Sequence, residues 1–287
     1  MTNNYKIKFA IIASISWSLA AISAALSFNA GASILLLLFV RFLTTFIVSF
    51  VVDLNNKKTN RINNSIEKPY FRIFIISIFS TLFISSYMSA IDFLPISIAV
   101  SVVYTFPILT FFANSFIKSR SIDLISTIAL FASLFGIWLL SGANLDGWNN
   151  WGVLLALTAA ISQVIVNIAS RHESIKPGWE LLKYIMALPA ILFTLLFFMN
   201  DYKINDLALI WCLVSSLGMI GGCYFFYHSI SNIGPVRTSN IMYLEPVFTI
   251  AIGVLFLNNV IGFEQWIGIV VIVFATYSLE LWGKKYQ

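Results

Sequence analysis

The chain alternates between long apolar runs and short polar segments. Ten runs are each about twenty residues long, the length that an α-helix needs to cross the hydrocarbon core of a bilayer. They are continuously apolar rather than alternating residue by residue, so they favour helices over the strands of a β-barrel. The predicted spans are 8–27, 33–53, 71–91, 95–116, 122–141, 150–169, 180–199, 207–230, 235–257 and 264–282. We therefore predict an all-α membrane protein with ten transmembrane helices, in which short connections make successive helices antiparallel neighbours.

Lys and Arg are concentrated in every second polar segment. With the N-terminus placed in the cytoplasm, thirteen of these residues fall in cytoplasmic segments and Lys203 alone falls outside. Cytoplasmic loops of membrane proteins carry such an excess. We predict that both termini are cytoplasmic and that the protein is a multi-pass component of the inner (plasma) membrane. The formal net charge of +5 then reports topology and does not indicate a nucleic-acid partner.

The composition excludes several protein classes. Apolar residues make up 59% of the chain and charged residues 10%, against about 25% charged residues in a soluble domain. The 2 Cys and 2 His are too few for a disulfide scaffold or a zinc site. The sequence also lacks a Gly-x-x-x-x-Gly-Lys nucleotide loop and the His-Glu-x-x-His and Gly-x-Ser-x-Gly motifs. We therefore expect neither an enzyme nor an ATP-driven pump, and no cofactor or metal.

Two parts of the sequence resemble each other: residues 89–109 align with 228–248 at a constant separation of 139 positions (107 to 246). The alignment pairs Ser101 with Asn240, Tyr104 with Tyr243 and Pro107 with Pro246. The tyrosine and proline pairs argue against the alternative, chance similarity of two apolar stretches. We predict two five-helix repeats, 1–146 and 147–287. Because five is odd, the second repeat inserts upside down, an arrangement found in secondary transporters whose substrate site lies near the midplane.

Five short motifs, in order along the chain, resemble those of a known family. They are Ile15–Ser18, Leu38–Phe42, Leu94–Pro107, Ile233–Val247 and Gln265–Gly268. Together they are similar to the drug/metabolite transporter (DMT) superfamily in its ten-span EamA branch, over essentially the whole chain. The resemblance implies transport of a small metabolite. The sequence departs from the family pattern at Asn259, where a glutamate is usual, and at its counterpart Arg120; both are loop-end positions, where we expect an effect on helix ends rather than on the substrate.

Three ionisable residues stand out within predicted spans, Arg41, Lys183 and Glu245, and Arg237 lies nearer the cytoplasmic end of its span. Each costs about 2.5–3.5 kcal/mol to insert, so it usually faces a cavity or a partner. Lys183 and Arg237 lie close enough to helix ends for their side chains to reach the polar interface, and we interpret them in that way. Arg41 lies deeper. It is either a binding group for an anion or carboxylate, or half of a structural ion pair.

Glu245 directly precedes Pro246 in the middle of its span. A proline frees a backbone carbonyl and permits a kink, and Pro107 has the corresponding place in the first repeat. A carboxyl group at such a point can exchange a proton during transport or bind a substrate ammonium. The alternative is a structural role, in which Glu245 binds the freed backbone or pairs with a basic residue. We treat both prolines as candidate kink or gating positions and the proton as a candidate coupling ion.

The repeat also predicts a shared surface. Ser97, Ser101 and Tyr104 follow the i, i+4, i+7 spacing of one helical face. An inverted two-fold brings this face onto its repeat counterpart around a central cavity, where tyrosine rings can stack on a substrate and their hydroxyls bind its polar end. Helix packing by Ser and Asn is the alternative, and Tyr87, Tyr224 and Tyr227 are weaker candidates. The predicted substrate-binding residues are Trp17, Arg41, Ser97, Ser101, Tyr104, Gln163, Asn240, Tyr243 and Glu245.

These observations predict a secondary transporter that moves a small molecule across the lipid bilayer by alternating access. We expect the cargo to be an amino acid or a related amphipathic metabolite, moved outward. The alternatives are an uptake carrier for a vitamin-like, nucleoside-like or other metabolite-like solute, and a structural membrane component that transports nothing. The sequence leaves the substrate, the coupling ion and the choice between monomer and homodimer open.

Overall fold

The structure is a computed structural model that describes residues 3–59, 70–119, 123–142, 147, 149–200, 205–257 and 261–282. These residues form α-helices and no strands. The helices are α1 (Asn3–Asn29), α2 (Ile34–Thr59), α3 (Tyr70–Phe93), α4 (Ile96–Val103), α5 (Phe106–Ile117), α6 (Leu124–Leu140), α7 (Asn150–Ala169), α8 (Trp179–Phe198), α9 (Asp206–Ile233), α10 (Pro235–Ile241), α11 (Leu244–Leu257) and α12 (Phe263–Trp282).

The predicted all-α membrane architecture is confirmed. Within the described residues, 9 helical segments are long and apolar enough to cross a membrane. The apolar helix α6, with 17 residues, is shorter than these and occupies the place of the predicted fifth span. All ten predicted spans therefore correspond to apolar helical segments.

The fourth and ninth predicted spans are interrupted, and each consists of two helices. Tyr104 caps α4, where its N–H donates to the carbonyls of Val100 and Val102. Pro107 then occupies the first turn of α5, where its missing N–H would have had no helical partner. In the second half, the interruption lies at Met242 and Tyr243, between α10 and α11, just before Pro246. The helix interruptions thus occur at matching positions of the two predicted repeats.

The closest helix packing joins the two halves of the chain. The principal pairs are α1 with α9, α3 with α7, α2 with α8 and α6 with α12. Helices that follow each other in the chain have few contacts with each other. The prediction that successive helices pack as neighbours is therefore wrong. The reason is physical: a short connection brings two helix ends together, but it does not decide which faces of two all-round apolar helices pack.

Glycines allow two of these pairs to approach closely. A Cβ atom on Gly218 of α9 would lie 2.6 Å from the backbone nitrogen of Ala20 and 2.7 Å from the carbonyl oxygen of Ser16, both in α1. In the pair α6 and α12, a Cβ on Gly268 would lie 2.6 Å from the carbonyl oxygen of Gly136. Small residues at such contacts allow the backbones of membrane helices to meet.

Candidate functional site

A cavity of about 90 Å³ lies inside the helix bundle and is lined by residues from nine of the helices. We call it the central cavity. Its walls are mainly apolar and aromatic, with a small number of polar groups, as is typical of small-molecule sites. The polar and aromatic residues that line it include Trp17, Arg41, Ser80, Tyr87, Tyr104, Gln163, Tyr227 and Glu245. Five of the predicted substrate-binding residues are among them.

Arg41 is 3% exposed and is held by uncharged groups. Its Nε and Nη2 atoms donate to Ser215 Oγ at 3.0 and 2.6 Å, and Nη2 also donates to the carbonyl oxygen of Ala20 at 2.8 Å. The Ser215 hydroxyl in turn donates to that same carbonyl at 2.7 Å. Within the described residues, Nη1 makes no hydrogen bond and no carboxylate pairs with the guanidinium. The geometry therefore does not support the structural ion-pair alternative for Arg41.

Glu245 lies in the first turn of α11 and lines the same cavity. Its carboxyl group lies beside the Tyr104 hydroxyl, a group able to donate to it. Its backbone carbonyl accepts hydrogen bonds from Ser18 Oγ at 2.8 Å and from Thr249 Oγ1 at 2.9 Å. The carbonyl is thus satisfied by hydroxyl groups, and the carboxyl group is left to face the cavity. A negative charge at the N-terminal end of a helix is also favoured by the helix dipole.

Tyr104 and Tyr243 face each other at the two helix interruptions. Their ring centroids are 6.3 Å apart with 29° between the planes, a stacked arrangement. Of the two, only Tyr104 lines the central cavity. Tyr243 is 0% exposed and does not line that cavity. Within the described residues, the Tyr243 hydroxyl is buried without a hydrogen-bond partner.

Gln163 is positioned by a polar network that joins three helices. Its Nε2 donates to Asn167 Oδ1 at 3.0 Å. Asn167 Nδ2 donates to Thr110 Oγ1 of α5 at 3.0 Å and to Ser239 Oγ of α10 at 2.9 Å. The network connects a cavity-lining side chain to both interrupted spans.

Trp17 is held flat against α9. A Cβ atom on Gly222 would lie 2.8 Å from Trp17 Cε2 and Nε1, so a side chain at position 222 would collide with the indole. This glycine therefore makes room for an aromatic wall of the central cavity.

The remaining predicted residues lie elsewhere. Ser101 is half-buried on α4 and does not line the central cavity. Asn240 lines a second cavity. The side chain of Ser97 lies outside the described part of the chain. Pro107 is buried near the start of α5, and Pro246 is in the first turn of α11.

Several lining residues were missed or given little weight in the sequence. Ser80 and Tyr87 are seven positions apart on α3, and Ser80 Oγ lies 3.2 Å from the hydroxyl of Tyr227 on α9. A polar face at i and i+7 on α3 is a signal that could have identified the first two. Cys223 also lines the cavity as a free thiol; no spacing pattern singles it out.

Lys183 and Arg237, interpreted from the sequence as side chains that reach the interface, each form an ion pair with a carboxylate. Lys183 Nζ lies 2.5 Å from Asp53 Oδ2, which joins α8 to α2. The Arg237 guanidinium pairs with the Glu280 carboxylate and joins α10 to α12. Each acidic partner is distant in the sequence, so only the folded chain reveals the pair.

Among the described residues, no three His, Cys, Asp or Glu side chains come close enough to form a metal site. The central cavity instead combines one guanidinium, one carboxyl, an amide and aromatic walls. Such a set can bind a small amphipathic molecule by its polar ends without bond chemistry.

The model of the EamA-like transporter family matches the chain twice, over residues 4–142 and 150–280. The chain belongs to the EamA-like transporter family. The resemblance stated from the motifs is thereby confirmed, and the family is one of transporters rather than enzymes.

Curated relatives of this EamA-family chain include the uncharacterized inner membrane transporter YedA of Escherichia coli strain K12 and the proteins of that name from E. coli O6:H1 and O157:H7. Each is 26% identical over 195 residues, which covers 65% of this chain and 62% of the relative. The chain thus matches less than two thirds of their length. A protein of known crystal structure superposes with a TM-score of 0.79 at 18% identity, covering 96% of this chain and 98% of the other. That likeness concerns the fold.

Proposed function

We propose that the protein is a secondary transporter of a small metabolite in the inner membrane, working by alternating access. The observation that carries the proposal is the presence of a buried guanidinium, Arg41, and a half-buried carboxyl group, Glu245, in one cavity of an apolar bundle. Ionisable groups are expensive at such depth and are retained mostly for ligand or ion pathways. Membership of the EamA-like transporter family agrees with this reading.

The preferred cargo is an amino acid or a related amphipathic metabolite. Arg41 offers a donor to a carboxylate, Glu245 offers an acceptor to an ammonium, and Trp17 and Tyr104 offer apolar faces. Outward transport of this cargo is part of the proposal, and uptake of another metabolite is the competing outcome.

The proposed mechanism depends on two inverted repeats, 1–146 and 147–287. The helix pairs support this symmetry: exchanging each helix with its counterpart turns the α1–α9 pair into the α7–α3 pair, and it leaves the α2–α8 and α6–α12 pairs unchanged. The charge distribution of the sequence supports cytoplasmic termini. The two halves would then rock about the central cavity, with the interruptions near Pro107 and Pro246 taking up the backbone change.

Counterflow in liposomes tests the proposal. Purified protein is reconstituted into liposomes loaded with a metabolite mixture, and the exchange of each labelled solute is followed against protein-free liposomes. Saturable exchange of at least one amphipathic solute is expected. Liposomes in which no solute exchanges faster than in the protein-free control would exclude the transporter assignment, and exchange restricted to nucleosides or vitamins would exclude the amino-acid cargo.

A further inference from the structure

A second cavity, of about 300 Å³, is lined by residues at the ends of α5, α6, α9, α10 and α12 and by Arg171, which follows α7. We call it the terminal cavity. It is lined by Arg171, Arg237, Asn240, Asn114 and Asp123, among other residues. It shares none of its lining residues with the central cavity.

The two arginines of the terminal cavity lie on either side of the α9–α10 junction. Arg171 Nη1 donates to Asn114 Oδ1 at 3.2 Å, and the Arg171 guanidinium lies 3.9 Å from where a Cβ of Gly234 would be. Arg237 donates through Nε to the two carboxylate oxygens of Glu280 at 3.0 and 3.1 Å. These contacts fix where both guanidinium groups stand.

Two buried polar atoms beside this cavity lack hydrogen-bond partners among the described residues. They are Nη1 of Arg237 and Oδ1 of Asn240, whose side chains are 7% and 5% exposed. Arg237 Nη1 is a donor that needs an acceptor, and Asn240 Oδ1 is an acceptor that needs a donor. A buried polar group without a partner costs about 1–3 kcal/mol, so an unfilled pair at a cavity wall indicates a ligand with both kinds of group.

The charges around the terminal cavity favour a ligand without net charge. Glu280 is paired with Arg237, and Asp123, which accepts hydrogen bonds from Ser126, adds a second carboxylate to the lining. Two positive charges thus meet two negative ones. A multiply charged anion would find no excess of positive charge here, whereas a zwitterion would be accommodated.

We propose that the terminal cavity is a second solute site, which binds a small molecule carrying a carboxylate and an amino group, with Arg237 Nη1 donating to the carboxylate and Asn240 Oδ1 accepting from the amino group. The proposal rests on the transport function proposed above. Asn240 and Tyr243 are one turn apart, and Tyr243 stacks on Tyr104 of the central cavity. The Asn240 end of the terminal cavity is thus linked through Tyr243 to Tyr104 of the central cavity, and the proposed site would hold a solute close to the main site.

Glycine is the appropriate probe, because it carries both groups and no side chain. Its binding to the full-length protein in lipid nanodiscs is measured by ligand-observed NMR. The variants are Asn240→Leu, which removes the unpartnered carbonyl, and Arg237→Gln with Glu280→Gln, which removes the guanidinium without leaving the acid unpaired. Glu245→Gln reports on the central cavity, and Arg72→Gln, at an exposed position, is the matched arginine control.

We expect Asn240→Leu and the double variant each to weaken glycine binding at the terminal cavity about tenfold or more, with Arg72→Gln retaining wild-type binding. Glu245→Gln should remove only the glycine bound in the central cavity and keep the component that Asn240→Leu weakens. Acetate, which lacks the amino group, should bind more weakly and be insensitive to Asn240→Leu. The proposal is overturned if glycine does not bind the wild type, if only Glu245→Gln removes the binding, or if Asn240→Leu weakens acetate as much as glycine. Counterflow measured on the same preparations tests the transport function separately. If glycine binds but no solute is exchanged, the transport function is rejected while the terminal cavity remains a binding site.

Discussion

Near the helix ends of this protein a buried cation has a carboxylate against it, whereas in the central cavity the cation and the carboxyl group have other partners. Lys183 is paired with Asp53, and Arg237 with Glu280. Arg41, in contrast, is held by a serine hydroxyl and a backbone carbonyl. The Glu245 carboxyl group lies beside the Tyr104 hydroxyl.

The difference separates two uses of buried charge. A direct ion pair satisfies both partners and locks two helices together, at the cost of removing both from water. A charge held by neutral groups remains available to an incoming opposite charge. The pairs near the helix ends are thus suited to fixing the bundle, and the central groups to binding a ligand.

The largest effect is expected from Glu245→Gln. If this carboxyl group carries the coupled proton, the variant should lose all dependence of exchange on an imposed pH gradient and keep exchange at equal pH. Counterflow with and without the gradient measures this, and Glu264→Gln, at an exposed position, is the control. A variant that remains coupled would remove Glu245 from the proton pathway and weaken the contrast drawn above.

Breaking a pair near the helix ends should mainly affect stability. Asp53→Asn leaves Lys183 without its acid, and we expect the free energy of unfolding to fall by about 3 kcal/mol. The double variant with Lys183→Gln should recover most of the loss, because it leaves no unpaired charge. Denaturant unfolding in detergent measures both, with exposed Asp206→Asn expected to change stability by at most about 0.5 kcal/mol. Equal losses in the single and double variants would contradict the pairing argument.

The opposite pattern is expected for Arg41. Arg41→Met removes a charge that has no carboxylate partner in the described structure, so stability should be retained while the exchange rate falls about a hundredfold, from the loss of a charged hydrogen bond to the cargo. Arg41→Lys keeps the positive charge but lacks the planar guanidinium, so its exchange rate should lie between those of the wild type and Arg41→Met. Should Arg41→Met unfold the protein as readily as Asp53→Asn does, the central cation would be structural as well.

The smallest effects on the exchange rate are expected at the two stacked tyrosines, Tyr104 and Tyr243, and the two residues should differ. Tyr104→Phe removes the hydroxyl that lies beside the Glu245 carboxyl group in the central cavity. We expect this variant to lower the exchange rate about tenfold. Tyr243→Phe removes a buried hydroxyl without a described partner and should leave the rate unchanged while raising stability by about 1 kcal/mol. Paired rate and unfolding measurements on the two variants test this. Similar losses of rate in both would place Tyr243 in the binding site.

The sequence was sufficient for what depends on length and polarity. Apolar runs predict the helices because hydrocarbon thickness fixes their length, and isolated charges such as Arg41 and Glu245 stand out against them. It was not sufficient for what depends on which faces meet. Asp53 and Glu280 lie far along the chain from the cations that they pair with, and Ser215, the main partner of Arg41, is one serine among many.

The sequence also placed the repeat residues on one surface when the fold divides them. Tyr104 faces the central cavity, Tyr243 does not line it, and Asn240 reaches the terminal cavity. The spacing i, i+4, i+7 assumes one continuous helix. The helix is interrupted at Met242 and Tyr243, so the Ser/Asn and Tyr positions of the pattern do not form one continuous face. Asn240 lines the terminal cavity, whereas Tyr243 lines neither cavity.

The glycine contacts limit where this protein can move. Position 218 faces the backbone of α1, and position 268 faces that of α6, with less than the width of a methyl group between them. Sliding one helix along the other at such a contact would drive neighbouring side chains into backbone atoms. We therefore expect the two halves to pivot at the α1–α9 and α6–α12 contacts rather than slide along them. In the proposed rocking motion, we expect the backbone change to fall at the helix interruptions beside Tyr104 and Met242. Chemical crosslinks between α1 and α9 should leave turnover intact, whereas crosslinks that span an interruption should stop it.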